Sequence, residues 1–162
     1  MASEPQMTEE PIPEFANPLA SIPATGRIMA LDLGTKTIGV AISDGMRYSA
    51  TPLETIRRTK FTQDAERLIQ LIGENQIAAI ILGLPLNMDG SEGPRVQSTR
   101  AFARNLAQKT ALPIAFWDER LSTSAVTRMM IEADLRRDRR AEVVDKLAAS
   151  YILQGALDRL RR

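Results

Sequence analysis

Two acidic residues of this chain stand at the ends of segments that have the pattern of strands. Asp32 follows the apolar run 28–31 and precedes Gly34, which allows the backbone to turn tightly. This predicts a carboxylate at the end of a strand, at a sheet edge facing solvent. Glu119 follows the short apolar segment 113–117 in the same way. Both side chains are therefore candidates for acid, base or metal chemistry.

A third acid, Asp145, lies on the apolar side of a predicted helix. Ala148, Ala149 and Ile152 follow it at intervals of three, four and seven residues, which is the spacing of one helix face. Because a lone charge is costly to bury, we expect Asp145 to pair with an arginine, to cap the helix or to help hold a cation.

The other two acids also have simpler interpretations. Asp32 can be a turn residue whose carboxylate caps nearby amides. Glu119 can form a surface ion pair with Arg120 or Arg128. From the residues alone, these alternatives stay open beside the chemical ones.

The composition restricts the chemistry, because the chain has no histidine and no cysteine among its 162 residues. Thiolate nucleophiles, disulfides and cysteine-bound zinc are excluded, and so is the usual neutral-pH base. The hard cations Mg²⁺ and Mn²⁺ remain, since carboxylates suit them. Three clustered carboxylates repel each other unless a divalent cation lies among them. Two such ions can activate water and stabilise the leaving oxygen in phosphodiester hydrolysis.

The charge of the chain is divided unequally along its length. Residues 1–25 hold four acids, no base and five of the nine prolines, which predicts a disordered acidic tail. Residues 26–162 then carry a net charge of +5, and 17 of the 21 basic residues are arginines. This excess is compatible with a nucleic-acid partner, because arginine binds phosphate through two parallel hydrogen bonds.

Several basic residues are candidates for contacts with substrate phosphates. Lys36 lies in the turn after Asp32, and Arg120 directly follows Glu119. A cluster precedes the helix of Asp145, and we expect it to bind phosphates; it consists of Arg136, Arg137, Arg139 and Arg140. We also expect three arginines of one helix, at positions 95, 100 and 104, to share a face and extend this patch.

The order of predicted elements is that of an α/β protein with a mixed sheet flanked by helices. The predicted strands are 27–32, 37–43, a third beginning near Tyr48, 77–82 and 113–117. The predicted helices are 61–76 with Thr62 as its cap, 94–109, a helix from Ser122 to 132, and 141–160 after a charged connection at 134–140. No apolar segment is long enough for a membrane span, and the N-terminal residues lack the charged region and apolar core expected of a secretory signal. We therefore expect a cytoplasmic protein.

Four motifs in this order resemble the YqgF/RuvX family, over about residues 26–160. They are Asp32-x-Gly-Thr-Lys-x-Ile-Gly-Val-Ala, Gly83-Leu-Pro-Leu-Asn-x-Asp-Gly-Ser-Glu-Gly, Asp118-Glu-Arg-Leu-Ser-Thr and Val144-Asp-Lys-Leu-Ala-Ala. Members are RNase H-like Holliday junction resolvases, also regarded as nucleases that mature the precursor of 16S ribosomal RNA. The resemblance implies a five-stranded mixed sheet with three antiparallel strands first. It also implies that Asp32, Glu119 and Asp145 bind the metal.

The resulting hypothesis is an endonuclease, dependent on Mg²⁺ or Mn²⁺, that acts on structured nucleic acid. Its most favoured substrate is the 5′ end of precursor 16S ribosomal RNA. The alternatives are resolution of DNA junctions, which favours a homodimer, and a non-catalytic RNA-binding assembly factor. An ATP-using sugar-kinase or actin-like protein shares the Asp-x-Gly-Thr turn, but it needs two lobes, and this chain is long enough for one.

Overall fold

The computed structural model describes residues 22–121 and 137–161, with only the backbone for 137–146. Three predictions therefore fall wholly or mostly outside the described residues: the acidic tail, the helix beginning at Ser122, and the position of Arg136. Within the described residues, no helix combines the length and the apolar character needed to cross a bilayer.

A five-stranded mixed sheet forms the centre of the fold. Its strands are β1 (Arg27–Leu33), β2 (Thr37–Ser43), β3 (Ala50–Arg57), β4 (Ile77–Leu84) and β5 (Ile114–Asp118). They are arranged in the order β3-β2-β1-β4-β5. The first three strands pair antiparallel, whereas β4 is parallel to β1 and β5 is parallel to β4. The predicted fold class and sheet are thus confirmed.

The described helices are α1 (Phe61–Asn75), α2 (Pro94–Ala107) and α3 (Arg137–Leu160), with a short 3-10 helix at Glu119–Leu121. The prediction that Thr62 caps α1 is wrong, because Lys60 occupies the cap position. The Asp64 carboxylate instead accepts a hydrogen bond of 3.1 Å from the backbone N–H of Thr59. Helix α3 begins four residues before the predicted start at 141. The arginines there are good helix formers, so part of the expected connection is helical.

Side chains alternate along β1 between two apolar cores. Met29 and Leu31 face the core that α1 and α2 cover. Ile28 and Ala30 face the opposite core, which α3 covers with residues such as Ile152. Because successive strand residues point to opposite faces, the side chain of Asp32 lies on the α3 side.

Helix α3 lies with its C-terminal end beside the start of β1. Arg161 donates a hydrogen bond of 2.9 Å to the carbonyl of Arg47, and Arg47 donates one of 2.7 Å to the carbonyl of Gly26. The N-terminal half of α3 therefore extends toward the opposite edge of the sheet, where β1 ends. This direction brings the backbone of Asp145 toward the edge that holds Asp32.

Candidate functional site

Asp32 lies at the end of β1, and its exposed fraction is only 9%. The expectation of a solvent-facing carboxylate is wrong. β1 is the central strand of the sheet, between β2 and β4, and α3 covers the face of Asp32. The turn that follows is closed by a backbone hydrogen bond of 2.8 Å from Gly34 to Thr37. Lys36, which lies within this turn, is exposed.

Glu119 interacts directly with Asp32. Ala115 and Trp117 of β5 face the α3 core, and Glu119 continues this alternation just after the strand ends. The two carboxyl groups are close enough for the negative charge of Asp32 to act on Glu119. The structure therefore brings these two predicted site residues together.

Gly83 provides the space that the Glu119 side chain occupies. It lies in β4, the strand between β1 and β5, in register with Trp117. A Cβ atom at this position would lie 2.6 Å from Oε2 of Glu119 and 2.6 Å from Cδ1 of Ile152. A larger residue would therefore displace the side chains of Glu119 and Ile152.

The surroundings of Glu119 oppose its ionisation. Burial and the negative charge of Asp32 raise the pKa of Glu119 to about 8, while the positive charge of Arg95 acts in the other direction. Oε2 of Glu119 is buried and has no hydrogen-bond partner among the described residues. Buried polar atoms are normally satisfied, so this oxygen is an exception among the described residues.

The third predicted acid lies on the helix that crosses this face. Asp145 is seven residues before Ile152, or roughly 10 Å along the helix axis. Its side chain is outside the described residues, as are those of Arg137, Arg139 and Arg140 in the first turn of α3. Among the described side chains, no group of three acids is arranged to hold a metal ion. The metal role of Asp145 thus stays a prediction.

Arg120 connects the site to the loop between β4 and α2. Its Nη2 lies 2.6 Å from Oδ2 of Asp118, a buried carboxylate, and its Nη1 donates a hydrogen bond of 3.2 Å to the carbonyl of Met88. The ion pair is thus made with Asp118 rather than with Glu119. Arg120, Arg95 and Glu119 line a cleft of about 410 Å³ under this loop.

The three arginines expected on one face of α2 do not act together. Arg95 and Arg104 are nine residues apart, which places them on opposite sides of a helix. Arg100 forms a salt bridge of 2.6 Å with Glu92. Of these three arginines, only Arg95 acts through its charge on the pKa of Glu119. The sequence interpretation did not include this role.

Gly83 was also missed as a site residue, although the sequence contains a signal for it. It is the one glycine in the otherwise bulky run of β4, and such a glycine often marks a close approach by another group. Arg58, whose guanidinium donates a hydrogen bond of 2.6 Å to the carbonyl of Gly34, had no local signal.

The sheet order and the acidic pair define a class of protein. A mixed sheet with three antiparallel strands first, an acid ending the central strand and a second acid after the last strand are the arrangement expected of RNase H-like nucleases. The family model of RuvX, described as Holliday junction resolvase, matches residues 26–159, and the chain belongs to this family. The predicted family and the predicted class of enzyme, a nuclease, are confirmed by this membership.

Curated relatives are similar over most of their length. A protein of Cereibacter sphaeroides named "Putative pre-16S rRNA nuclease" is 64% identical over 154 residues, covering 95% of this chain and 94% of the relative. A protein of Ruegeria pomeroyi with the same name is 61% identical over 152 residues, covering 94% and 97%.

Solved structures confirm the fold. RuvC of T. thermophilus in complex with a Holliday junction substrate has a TM-score of 0.51 and 14% identity, covering 82% of this chain and 93% of that chain. At this identity, the similarity concerns the fold alone.

Proposed function

We propose that this protein is a metal-dependent endonuclease that hydrolyses phosphodiester bonds in structured RNA, at the 5′ end of precursor 16S ribosomal RNA. The observation that carries the proposal is the pair of Asp32 and Glu119, with a buried Glu119 oxygen that has no partner among the described residues. The names of the curated relatives support the choice of substrate.

A divalent cation fits this pair. Two neighbouring carboxyl groups repel each other when both are ionised, and a cation removes that repulsion. The chain offers only oxygen ligands of the kind that Mg²⁺ and Mn²⁺ prefer, since it lacks histidine and cysteine. Asp32, Glu119 and Asp145 would hold the metal. When bound, Mg²⁺ or Mn²⁺ would supply activation of water and stabilisation of the leaving oxygen.

The residues around the pair would orient the substrate. Arg120 fixes the loop between β4 and α2 beside Glu119 through its bonds to Asp118 and Met88. Lys36, exposed in the turn after Asp32, would contact phosphates. Arginines at the start of α3 and just before it would do the same: Arg136, Arg137, Arg139 and Arg140. Their positive charges would favour binding of the polyanionic strand.

A second candidate substrate is a four-way DNA junction. The description of the matching family favours it. Symmetric cutting of such a junction would require two active sites, so this alternative comes with a homodimer. We further propose that residues 26–162 form the nuclease domain of a cytoplasmic protein, with residues 1–25 as a tail outside the family match.

Cleavage assays with two labelled substrates test the proposal. Precursor 16S ribosomal RNA and a synthetic four-way junction are each incubated with Mg²⁺, Mn²⁺ or EDTA. We expect metal-dependent cutting of the RNA by the wild type and none by Asp32→Asn, because the substitution removes a metal ligand while retaining shape. Asp158→Asn, at the far end of α3, is the matched control and should cut normally.

The outcomes separate the alternatives. Cutting of the junction alone would transfer the proposal to DNA resolution. Binding of RNA without cutting in any metal would support a non-catalytic assembly factor and refute the endonuclease. Equal cutting by wild type and Asp32→Asn would refute the role of the acidic pair.

A further inference from the structure

A second cleft lies beside the acidic pair, at the same edge of the sheet. Its volume is about 410 Å³. The turn after β1, the residues after β3 and the first turns of α2 enclose it; its lining includes Leu33, Gly34, Arg58, Thr59, Arg95 and Ser98. We call it the arginine cleft. Arg95 lines both the arginine cleft and the cleft that contains Glu119, so the arginine cleft adjoins the site.

Two guanidinium groups in the arginine cleft are held in place by backbone carbonyls. Nη1 of Arg58 donates a hydrogen bond of 2.6 Å to Gly34, and Nη2 of Arg95 donates one of 3.1 Å to Leu33. The Arg58 guanidinium also lies 5.8 Å from the centre of the Phe102 ring. Both groups are thus oriented in advance, and each keeps further N–H donors for a ligand.

The charges of Arg58 and Arg95 are not neutralised by a salt bridge within the described part of the chain. Four other described arginines do form a salt bridge with a carboxylate: Arg67, Arg100, Arg120 and Arg161. Among the described residues, neither Arg58 nor Arg95 makes a salt bridge, and no acid lines the arginine cleft. The arginine cleft therefore combines two positive groups with neighbouring hydroxyl groups. The ligand that fits this lining is an anion with several oxygens, such as a phosphate diester.

The position of Arg95 links the arginine cleft to the chemistry. Arg95 also lines the cleft that contains Glu119, and its charge acts on that carboxyl group. If a nucleic-acid strand lies across the acidic pair, a phosphate next to the reacting one would therefore lie beside Arg95. We infer that the arginine cleft binds the backbone phosphate next to the one being cut and so fixes the strand across Asp32 and Glu119. This inference rests on the proposed nuclease function.

Binding measurements in EDTA test the inference without requiring cleavage. The affinity of a labelled precursor RNA fragment is measured against salt concentration for Arg58→Gln, Arg95→Gln and the double variant. Each loss of a charged hydrogen bond should weaken binding about tenfold. Loss of one phosphate contact should reduce the salt slope by about 0.7–0.9. Arg104→Gln, on the opposite side of α2, is the control and should change neither quantity.

Arg58→Lys controls for a folding defect, since it keeps the charge and the alkyl stem. It should retain the salt slope but bind more weakly than the wild type, because lysine lacks the planar fork of donors. A thermal melt of each variant checks that it is folded. If folded Gln variants keep both the wild-type affinity and the wild-type salt slope, the inference is wrong.

A neutral substitution in the substrate locates the contact. Single methylphosphonate groups are introduced in turn at the phosphates flanking the cut site. We expect a methylphosphonate at one adjacent position to weaken binding to the wild type about tenfold. The same substitution should not change the affinity of the double arginine variant. Equal losses in both proteins would overturn the inference while leaving the nuclease intact. Conversely, if the wild type cuts neither substrate in any metal, the proposed function fails even where the salt slopes identify a phosphate site.

Discussion

Replacing Glu119 by glutamine should stabilise the metal-free protein at alkaline pH. Burial and Asp32 raise the pKa of Glu119 from an ordinary 4.5 to about 8. The folded state therefore binds more protons than the unfolded state between these pKa values, and its stability falls as the pH rises through this window. Below pH 4.5 Glu119 is protonated in both the folded and the unfolded state, so the raised pKa costs no stability there. Above pH 8 Glu119 is ionised in both states, and the loss of stability is complete. Glutamine mimics the protonated form at every pH.

The magnitude follows from the difference between the two pKa values of Glu119. It corresponds to a free energy on the order of 5 kcal/mol as an upper bound. Because the side chain is partly exposed, solvent screens the repulsion, and we expect ~2 kcal/mol to remain. For a domain of this size, that gain in the free energy of unfolding raises the melting temperature by about 4–8 °C.

Calorimetry in EDTA at pH 5 and pH 8.5 measures this effect. Glu119→Gln should melt well above the wild type at pH 8.5 and close to it at pH 5. Glu66→Gln, an exposed position on α1, is the control and should change neither melting temperature. An equal gain at both pH values, or a loss at pH 8.5, would refute the electrostatic explanation.

Two further substitutions test the packing around the site. Gly83→Ala would place a Cβ 2.6 Å from Oε2 of Glu119, so it should lower the free energy of unfolding by about 1–3 kcal/mol and abolish cleavage. The control is Gly73→Ala, whose added Cβ meets nothing within 4 Å and which should be neutral or stabilising in urea denaturation. Equal stability changes in Gly83→Ala and Gly73→Ala would contradict the close approach of Glu119 to Gly83. Arg120→Gln should cost about 1–3 kcal/mol by removing the ion-pair partner of buried Asp118. Adding Asp118→Asn should recover part of this loss, and simple additivity would refute the coupling.

The elements and the acids were predictable because their signals are local. Strands β1, β4 and β5 each have an apolar run bounded by turn residues, and Asp32 and Glu119 stand at the ends of two of these runs. A five-stranded mixed sheet with three antiparallel strands first followed from the family resemblance and is observed. The register of parallel strands then brings the ends of β1 and β5 to one edge.

What the sequence could not indicate depends on contacts between distant residues. The burial of Asp32 results from the central position of β1 and from α3 crossing above it. The importance of Gly83 depends on Glu119 and Ile152, which are 36 and 69 residues away. The preference of Arg120 for Asp118 over Glu119 is set by the opposite faces of adjacent residues.

The central claim is that Asp32 and Glu119 form a cation site, and a Mn²⁺ titration tests it most directly. Bound Mn²⁺ is measured by electron paramagnetic resonance for the wild type, Asp32→Asn, Glu119→Gln and the control Asp158→Asn. We predict that the wild type and the control bind Mn²⁺ alike, and that the two site variants bind it at least about tenfold more weakly, which corresponds to 1.4 kcal/mol. Equal affinity in all four proteins would contradict the claim.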